Sequence, residues 1–535
     1  TAGLPESLAT NKARNQYFML PLLLGLFGVI YQYAKSKKDF FVITLLFLFT
    51  GILLLVFLNP TPTEPRERDY IFVGSFYAFA IWVGLGLLQV LEYLALIIKK
   101  ESIRPIVALG LSLIVPIIMA KESFDDHDRS QRYHSVDSAK NLLNSCAKNG
   151  ILFTGGDNDT FPLWYVQEVE GFRTDVRVCN LSLLNTEWYI GQMKMQAYDS
   201  DPLPITLEYK DYAEGTNDYV PYVENPQGKN GISLPVYIKL IREQNPAIMV
   251  QAQSGSSLAT LPSETLILPI DTAKVRHMAF IPKDKANMIQ EAIVWKKGRG
   301  ALEKKDLIIL DMMANNNWER PIYFSSTLSN SNYLGLREYM QMEGLTYRFM
   351  PFKEEGATQG FVNTAIMYDK MMNGMFWRNL NKEGVYHDEN YRRFPYNARL
   401  SYYRLATELY YEGKNEKAKE VINHCFEVIP DKTIPYDVTS PQFVSILLKC
   451  GDKPKAMEIS NTMAKRADEE LDYYMKNNIK NEMEIQSNLY ILNQLAMILK
   501  SEGMTEESRR LEDIFRKYAG DNYPVSYTHL RAHQT

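Results

Sequence analysis

Apolar positions are concentrated in four runs near the start of the chain. Residues 17–34 and 40–58 carry no charge, 71–98 holds only Gln89 and Glu92 near one end, and 105–120 is shorter and clean. A membrane span needs about 20 apolar residues, and about 17 at the least. Three of the runs therefore predict spans, and the fourth is marginal by length. The expected architecture is multidomain, beginning with an α-helical transmembrane bundle over residues 1–122. Lys35, Lys37 and Lys38 follow the first run, and Lys99, Lys100 and Arg104 follow the third. An excess of Lys and Arg marks cytoplasmic loops. The intervening stretch 59–70, NPTPTEPRERDY, has no positive bias and is expected outside. After the fourth run, Lys121 is followed by Asp125, Asp126 and Asp128, so the remainder is expected outside as well. In a two-membrane bacterium this means a multi-pass inner-membrane protein with a large periplasmic part. Were the fourth run no span, that part would be cytoplasmic.

Beyond residue 122 the period changes, and 123–350 predicts an α/β domain. A helix over 134–148 leads to a strand at 151–154 that ends at Gly155-Gly156. A helix over 162–170, capped by Thr160 and stopped by Gly171, leads to a strand at 175–184 and a helix at 186–196. Strand–helix–strand order predicts a parallel, right-handed βαβ unit. Loops and short strands fill 201–263 around a helix at 236–243. A strand pair is expected at 264–270 and 275–281, a helix at 306–314 and a strand at 321–325. Residues 351–395 read as a connector.

From 396 to 520 the pattern is all-α. Tyr402, Leu405, Ala406, Leu409, Ala418, Ile422, Cys425 and Pro430 fall at tetratricopeptide spacing, with Gly413 at the turn. The hairpin recurs more weakly around Gly451 and Gly503. Residues 524–535 break from this pattern and read as a non-native tail, so His529 and His533 are set aside. The chain starts at Thr1 with no signal peptide and reads as a fragment.

Composition narrows the function classes. Net charge is −4, which supplies no field for nucleic acid. Tyrosine is abundant, as suits membrane borders and sugar-stacking surfaces. Cys146 and Cys179 share one expected domain, Cys425 and Cys450 another. Their spacing forms no metal motif; pairing within each domain is open, and buried free thiols are favoured over it.

Candidate chemistry is sparse. Asp157-Asn158-Asp159 sits where a strand ends, and such a DxD can hold a divalent cation against a diphosphate. The bland alternative is a turn whose acids favour the next helix dipole. Asp126, His127 and Asp128 could form a second polar or metal group, against a solvated exit loop. His127 and His134, seven apart, could share a helix face. Arg66 and Arg68 can grip a phosphate bidentately. Glu64, Glu67 and Asp69 could pair with them or serve as a base; the alternative is interfacial anchoring. No nucleophile-elbow, HExxH, P-loop or CxxC motif occurs.

Five stretches carry a resemblance. They are EPRERDYIFVGSFYAFAIWVGLG (64–86), DDHDRS (125–130), GDNDTFPLWYVQEVEGFRTDVRVCNLSLLNTEWYI (156–190), NNNWERPIYFS (315–325) and YLGLREYMQMEGLTYR (333–348). Together they resemble a bacterial multispan membrane family that is itself similar to protein O-mannosyltransferases of the GT-C class. The resemblance implies transfer of a sugar from a polyprenyl-phosphate donor to a protein or glycan acceptor on the outer membrane face. It places the donor phosphate near Arg66 and Arg68. GT-C enzymes carry their catalytic acid in a first external loop, and this chain is expected to lack that half. The competing expectation is a membrane-anchored interaction protein whose repeats bind partners without catalysis.

Overall fold

Helix-forming residues outlast the apolar runs, and this changes which run is marginal. The computed structural model describes residues 3–60, 68–251 and 257–519. It divides into two compact units, Thr1–Gln131 with Glu469–Lys480, and Arg132–Asp468 with Asn481–Thr535.

In the first unit, α1 (Leu20–Lys35), α2 (Lys37–Leu58, broken at Gly51), α3 (Val73–Ile97) and α4 (Arg104–His127) follow the four runs. Three helices, Lys37–Leu58, Asp69–Ile97 and Arg104–His127, are long and apolar enough to cross a membrane. The expectation that the last run was the marginal one is corrected. Its helix continues through Ala120-Lys121-Glu122, good helix formers, to 24 residues. The first run gives only 16 residues, about 24 Å of helix against a ~30 Å hydrocarbon core. Phe18 and Met19 at positive φ, then Pro21 in the first turn, set its late start.

Small residues set the packing of α1 on α3. A Cβ at Gly28 would stand 1.8 Å from the Trp82 carbonyl oxygen, and one at Gly86 would stand 2.1 Å from that of Leu24. Only glycine permits such backbone approach. Trp82 Nε1 donates to Gln32 Oε1 at 2.7 Å, and Lys35 pairs with Glu92 at 2.6 Å. These contacts advance together along both helices, so α1 and α3 are parallel. The rings of Phe40 with Trp82 and Phe47 with Phe79, and Thr50 against Gly74, run in the opposite sense, so α2 is antiparallel to α3. Tyr17 bonds Ser123 at 2.7 Å and Asn15 donates to Asp126 at 3.2 Å, which puts the end of α4 beside the start of α1. The lysine-bearing connections after α1 and α3 thus share one end of this bundle. The start of α3 and the end of α4 share the other.

The second unit is built on a six-stranded mixed sheet. Its strands are β1 (Ile151–Thr154), β2 (Arg177–Asn180), β3 (Ile322–Ser325), β4 (Met340–Glu343), β5 (Thr346–Phe349) and β6 (Phe361–Val362), in the order β6-β4-β5-β3-β1-β2. β1 is buried at every position, and apolar at all but Thr154, because it runs between two parallel neighbours, Leu152 opposite both Val178 and Tyr323. The helix α5 (His134–Ser145) precedes β1, and α6 (Asp157–Glu168) carries the chain from β1 to β2. This is the expected βαβ unit. The chain then passes through α7 (Glu187–Met193) and, much later, α8 (Lys304–Asn315), and enters β3 on the far side of β1. Right-handed crossovers in opposite directions put α6 and α8 on opposite faces of the sheet.

Several expectations shift. The helix after β1 begins at Asp157 with Gly156 as its N-cap, not at Thr160. The expected strand 275–281 is absent: Thr272–Val275 is a helical turn. The antiparallel partner of Thr265–Pro269 is Ala292–Lys296, whose Ile293 and Trp295 are buried while Val294 is exposed. β4 and β5 come from the polar-looking MQME and TYRF, joined through Gly344 at φ +77. The expected connector supplies β6, α9 (Thr364–Asn373) and the start of α10 (Glu389–Tyr411).

The remaining helices are α11 (Asn415–Val428), α12 (Pro441–Lys449), α13 (Lys453–Lys476), α14 (Glu482–Ser501) and α15 (Thr505–Ala519). Helices α10 and α11, α12 and α13, and α14 and α15 are each joined by a glycine turn. Gly413, Gly451 and Gly503 have φ +76, +84 and +76. The next N–H donates back to Leu409, Leu447 and Leu499 at 2.8, 2.8 and 2.9 Å. This is the Schellman termination, three times over. Nine residues beyond each of these buried leucines stands a buried small residue, Ala418, Ala456 or Ser508. The four cysteines are free, and burial pushes the thiols of Cys146, Cys179 and Cys425 up to about 12.

Candidate functional site

Parallel strands end their ladders with unpaired backbone at the carboxyl edge, and side chains there must satisfy it. Thr154 and Thr160 hydroxyls meet at 2.8 Å across the turn from β1 into α6. Asn180, ending β2, donates to Thr160 Oγ1 and to the Gly155 carbonyl, both at 2.7 Å, and accepts from Leu183 N at 2.9 Å. Just past β3, the Ser325 and Thr327 hydroxyls meet at 2.7 Å, and Thr327 donates to Asp159. Burial raises the Asp159 carboxyl above its ordinary value, and the Thr327 bond opposes the rise. Two polar clusters, which meet at the adjacent residues Asp159 and Thr160 of α6, therefore lie at the carboxyl ends of β2, β1 and β3. The chain leaves β1 toward β2 but returns on the other side to β3, so the carboxyl edge between β1 and β3 is a topological switch point, the place where open α/β sheets bind ligands. Asp157 and Asn158 are exposed at its rim. Phe161 and Trp188 are exposed nearby in sequence, at 53% and 54%.

Asp157 and Asp159 face different ways. One is exposed and the other buried against Thr327, because both occupy the first turn of α6, where residues two apart diverge by about 200°. Among the described residues, no three His, Cys, Asp or Glu side chains converge on a common point. Asp126 and His127 lie in the last turn of α4, not in an exit loop. Asp126 accepts from Asn15 and bonds His127 Nδ1 at 2.8 Å. Asp128 accepts from Ser130 N at 2.9 Å. His134 does not share a helix face with His127; it opens α5 and faces His387 instead, with ring centroids 5.7 Å apart. Arg68 and Asp69 are exposed at the 3-10 turn Asp69–Phe72 leading into α3. Glu64, Arg66 and Glu67 lie outside the described residues.

Other charged groups have structural work. Arg320, from the NNNWERP stretch, donates to the carbonyls of Asn149 and Asp201 at 3.1 and 2.8 Å and to Ser200 Oγ at 3.0 Å. Glu343 is buried in the sheet, accepting from Gln341 at 2.7 Å, Tyr323 at 2.9 Å and Lys370 at 3.0 Å, with Arg348 at 3.6 Å. Sequence spacing gave no sign of this cluster, since its members belong to four separate elements.

The chain thus carries a mixed sheet with a topological switch point and, separately, helices long enough to cross a membrane. Residues 135–366, which hold all six strands of that sheet, match the family described as TMEM260-associated domain 2. Over 170 residues the chain is 27% identical to the mouse (Mus musculus) Protein O-mannosyl-transferase TMEM260, an alignment covering 30% of this chain and 24% of the relative. No solved structure matches.

Proposed function

We propose that the chain is part of a membrane glycosyltransferase of GT-C type. It works with a polyprenyl-phosphate sugar and a protein or glycan acceptor. The observation that carries this reading is the similarity to a protein O-mannosyl-transferase, with the matched family region lying on the six-stranded sheet. In the reaction, a base takes the acceptor hydroxyl proton as that oxygen attacks the anomeric carbon. The bond from that carbon to the donor phosphate oxygen breaks, and the lipid phosphate leaves.

In this reading Arg66 and Arg68 hold the donor phosphate, and Glu64, Glu67 and Asp69 shape the same loop. Acceptor recognition falls to the α/β part, where Asp157 and Asn158 are exposed at the switch point. The outer face of a bacterial inner membrane is the expected location, with the α/β and hairpin parts in the periplasm. The lysines gathered at one end of the helix bundle support that orientation.

A second reading, a membrane-anchored interaction protein with tetratricopeptide-like hairpins, draws support from the threefold repeat of one turn and one buried register. Membranes containing the intact protein, given radiolabelled polyprenyl-phosphate mannose and a Ser/Thr peptide, separate the two. Label passing to the peptide supports the transferase. Peptide capture without transfer supports the interaction protein.

A further inference from the structure

Helices α5 and α10 meet at their N-terminal ends, and two histidines gathered there have ring nitrogens with no hydrogen-bond partner. His134 is the first residue of α5, and no side chain caps that helix. His387 immediately precedes Asp388, the N-cap of α10. The two imidazoles stand edge to face, 5.7 Å between centroids, and Tyr391 lies 4.5 Å from His134. Both ring nitrogens of His134, and Nε2 of His387, are buried without a hydrogen-bond partner. His387 is only 3% exposed, which makes its unmet nitrogen costly.

The charges around this pair are mostly positive. Arg132 lies over the rings of Tyr386 and Tyr391 at 5.6 and 5.8 Å. Arg392 donates to the His387 carbonyl at 2.8 Å. Among the described residues, Asp388 is the acid that faces the pair, and its carboxylate is taken up by the Asn390 and Tyr391 N–H groups at 2.9 and 3.1 Å. Two helix N-termini add their partial positive charge. A cation would be repelled here, whereas an anion would meet unmet N–H donors, two guanidinium charges and two helix dipoles at once. Arg132, His134, Tyr386, Tyr391 and Arg392 are half-buried, so the cluster is reachable from solvent.

We propose that His134 and His387, framed by Arg132 and Arg392 where α5 and α10 begin, form a binding site for a phosphate group. The proposal does not need the transferase reading. At neutral pH each imidazole is uncharged and offers one N–H. Burial, the facing imidazole and the nearby arginines push His387 down to about 4, and burial with Arg132 does the same to His134. A bound phosphate reverses the local field and raises both. The phosphate could belong to a lipid headgroup or to a free ion, and the test keeps these apart.

The full chain, labelled with 13C-histidine and held in detergent, is titrated at pH 6 with inorganic phosphate and separately with dispersed polyprenyl phosphate. His134→Asn and His387→Asn assign the two signals. Saturable shifts of both signals toward the protonated position support the site. A response to inorganic phosphate identifies a free phosphate as sufficient, and a response to the polyprenyl phosphate alone identifies a lipid source. Arg132→Met should weaken binding about tenfold or more. Signals of His134 and His387 that stay put with both ligands overturn the proposal, and the unsubstituted protein suffices for that result.

Discussion

Replacing Lys370 with Met tests how the sheet and α9 are held together. Lys370 Nζ lies 3.0 Å from Glu343 and 2.5 Å from the Ser145 carbonyl, so one ammonium joins α9, β4 and the end of α5. Glu343 is 1% exposed. Burial drives its carboxyl up, but Lys370 and Arg348 outweigh this and hold it below the ordinary range. Removing one member of a buried pair costs about 3–5 kcal/mol, because the remaining charge is stranded. Here Arg348 stays at 3.6 Å, so the expected loss is roughly 3 kcal/mol, the lower end. In native-state hydrogen exchange this is about a hundredfold faster opening of the amides in 340–349. A folded carboxyl held low stabilises above its unfolded value, near ~4.3, and loses that contribution as pH falls through its folded value. The Lys370→Met penalty should therefore shrink below about pH 4. Glu343→Gln combined with Lys370→Met should recover only part of the loss, because the stranded carboxylate is gone but the buried Arg348 then loses its charged partner. Unchanged exchange in Lys370→Met, or a double variant worse than both singles added, would refute the reasoning.

Three further outcomes are expected. Gly413→Ala, Gly451→Ala and Gly503→Ala should each cost about 1 kcal/mol in denaturant unfolding of the hairpins, and nearly equally. Each position has positive φ and no atom within 4 Å of an added Cβ, so the cost is in the backbone alone. Gly28→Leu should separate α1 from α3, read as loss of a cysteine crosslink between them, while Gly84→Leu, with open space around it, should not. With cysteines at Asp128 and Lys229 in one set and at Lys38 and Lys100 in another, impermeant reagents on intact spheroplasts should label the first set only. The reverse pattern would invert the proposed orientation.

What could be read from the chain depended on how far apart the partners of each element lie. β1 declares itself as three apolar residues and a threonine before Gly155-Gly156, because both neighbours bury it. The glycine turns at 413, 451 and 503 are equally legible, since a Schellman ending is a local device. β4 and β5 are not, because MQME and TYRF hold the charges of Glu343 and Arg348, which become tolerable through each other and through Lys370 and Tyr323 from other elements. The same limit hid the strand partner of Thr265–Pro269, which a nearer apolar run imitated. In the candidate site, Asp157 and Asn158 were placed at a strand end from sequence. The divergence of Asp157 from Asp159 became visible only once α6 began at Asp157. His134 gave a weak signal with the wrong partner, as His387 joins it only through the packing of α5 on α10.

Sugar transfer from a lipid phosphate is read out in a reconstituted assay. The intact protein in proteoliposomes, supplied with polyprenyl-phosphate mannose and a Ser/Thr peptide, is compared with its Arg66→Ala/Arg68→Ala variant at equal insertion. The account predicts labelled mannosyl peptide from the first and its loss from the second. Intact protein that inserts and folds yet transfers nothing would contradict the account, and equal transfer by the variant would remove the two arginines from the donor site.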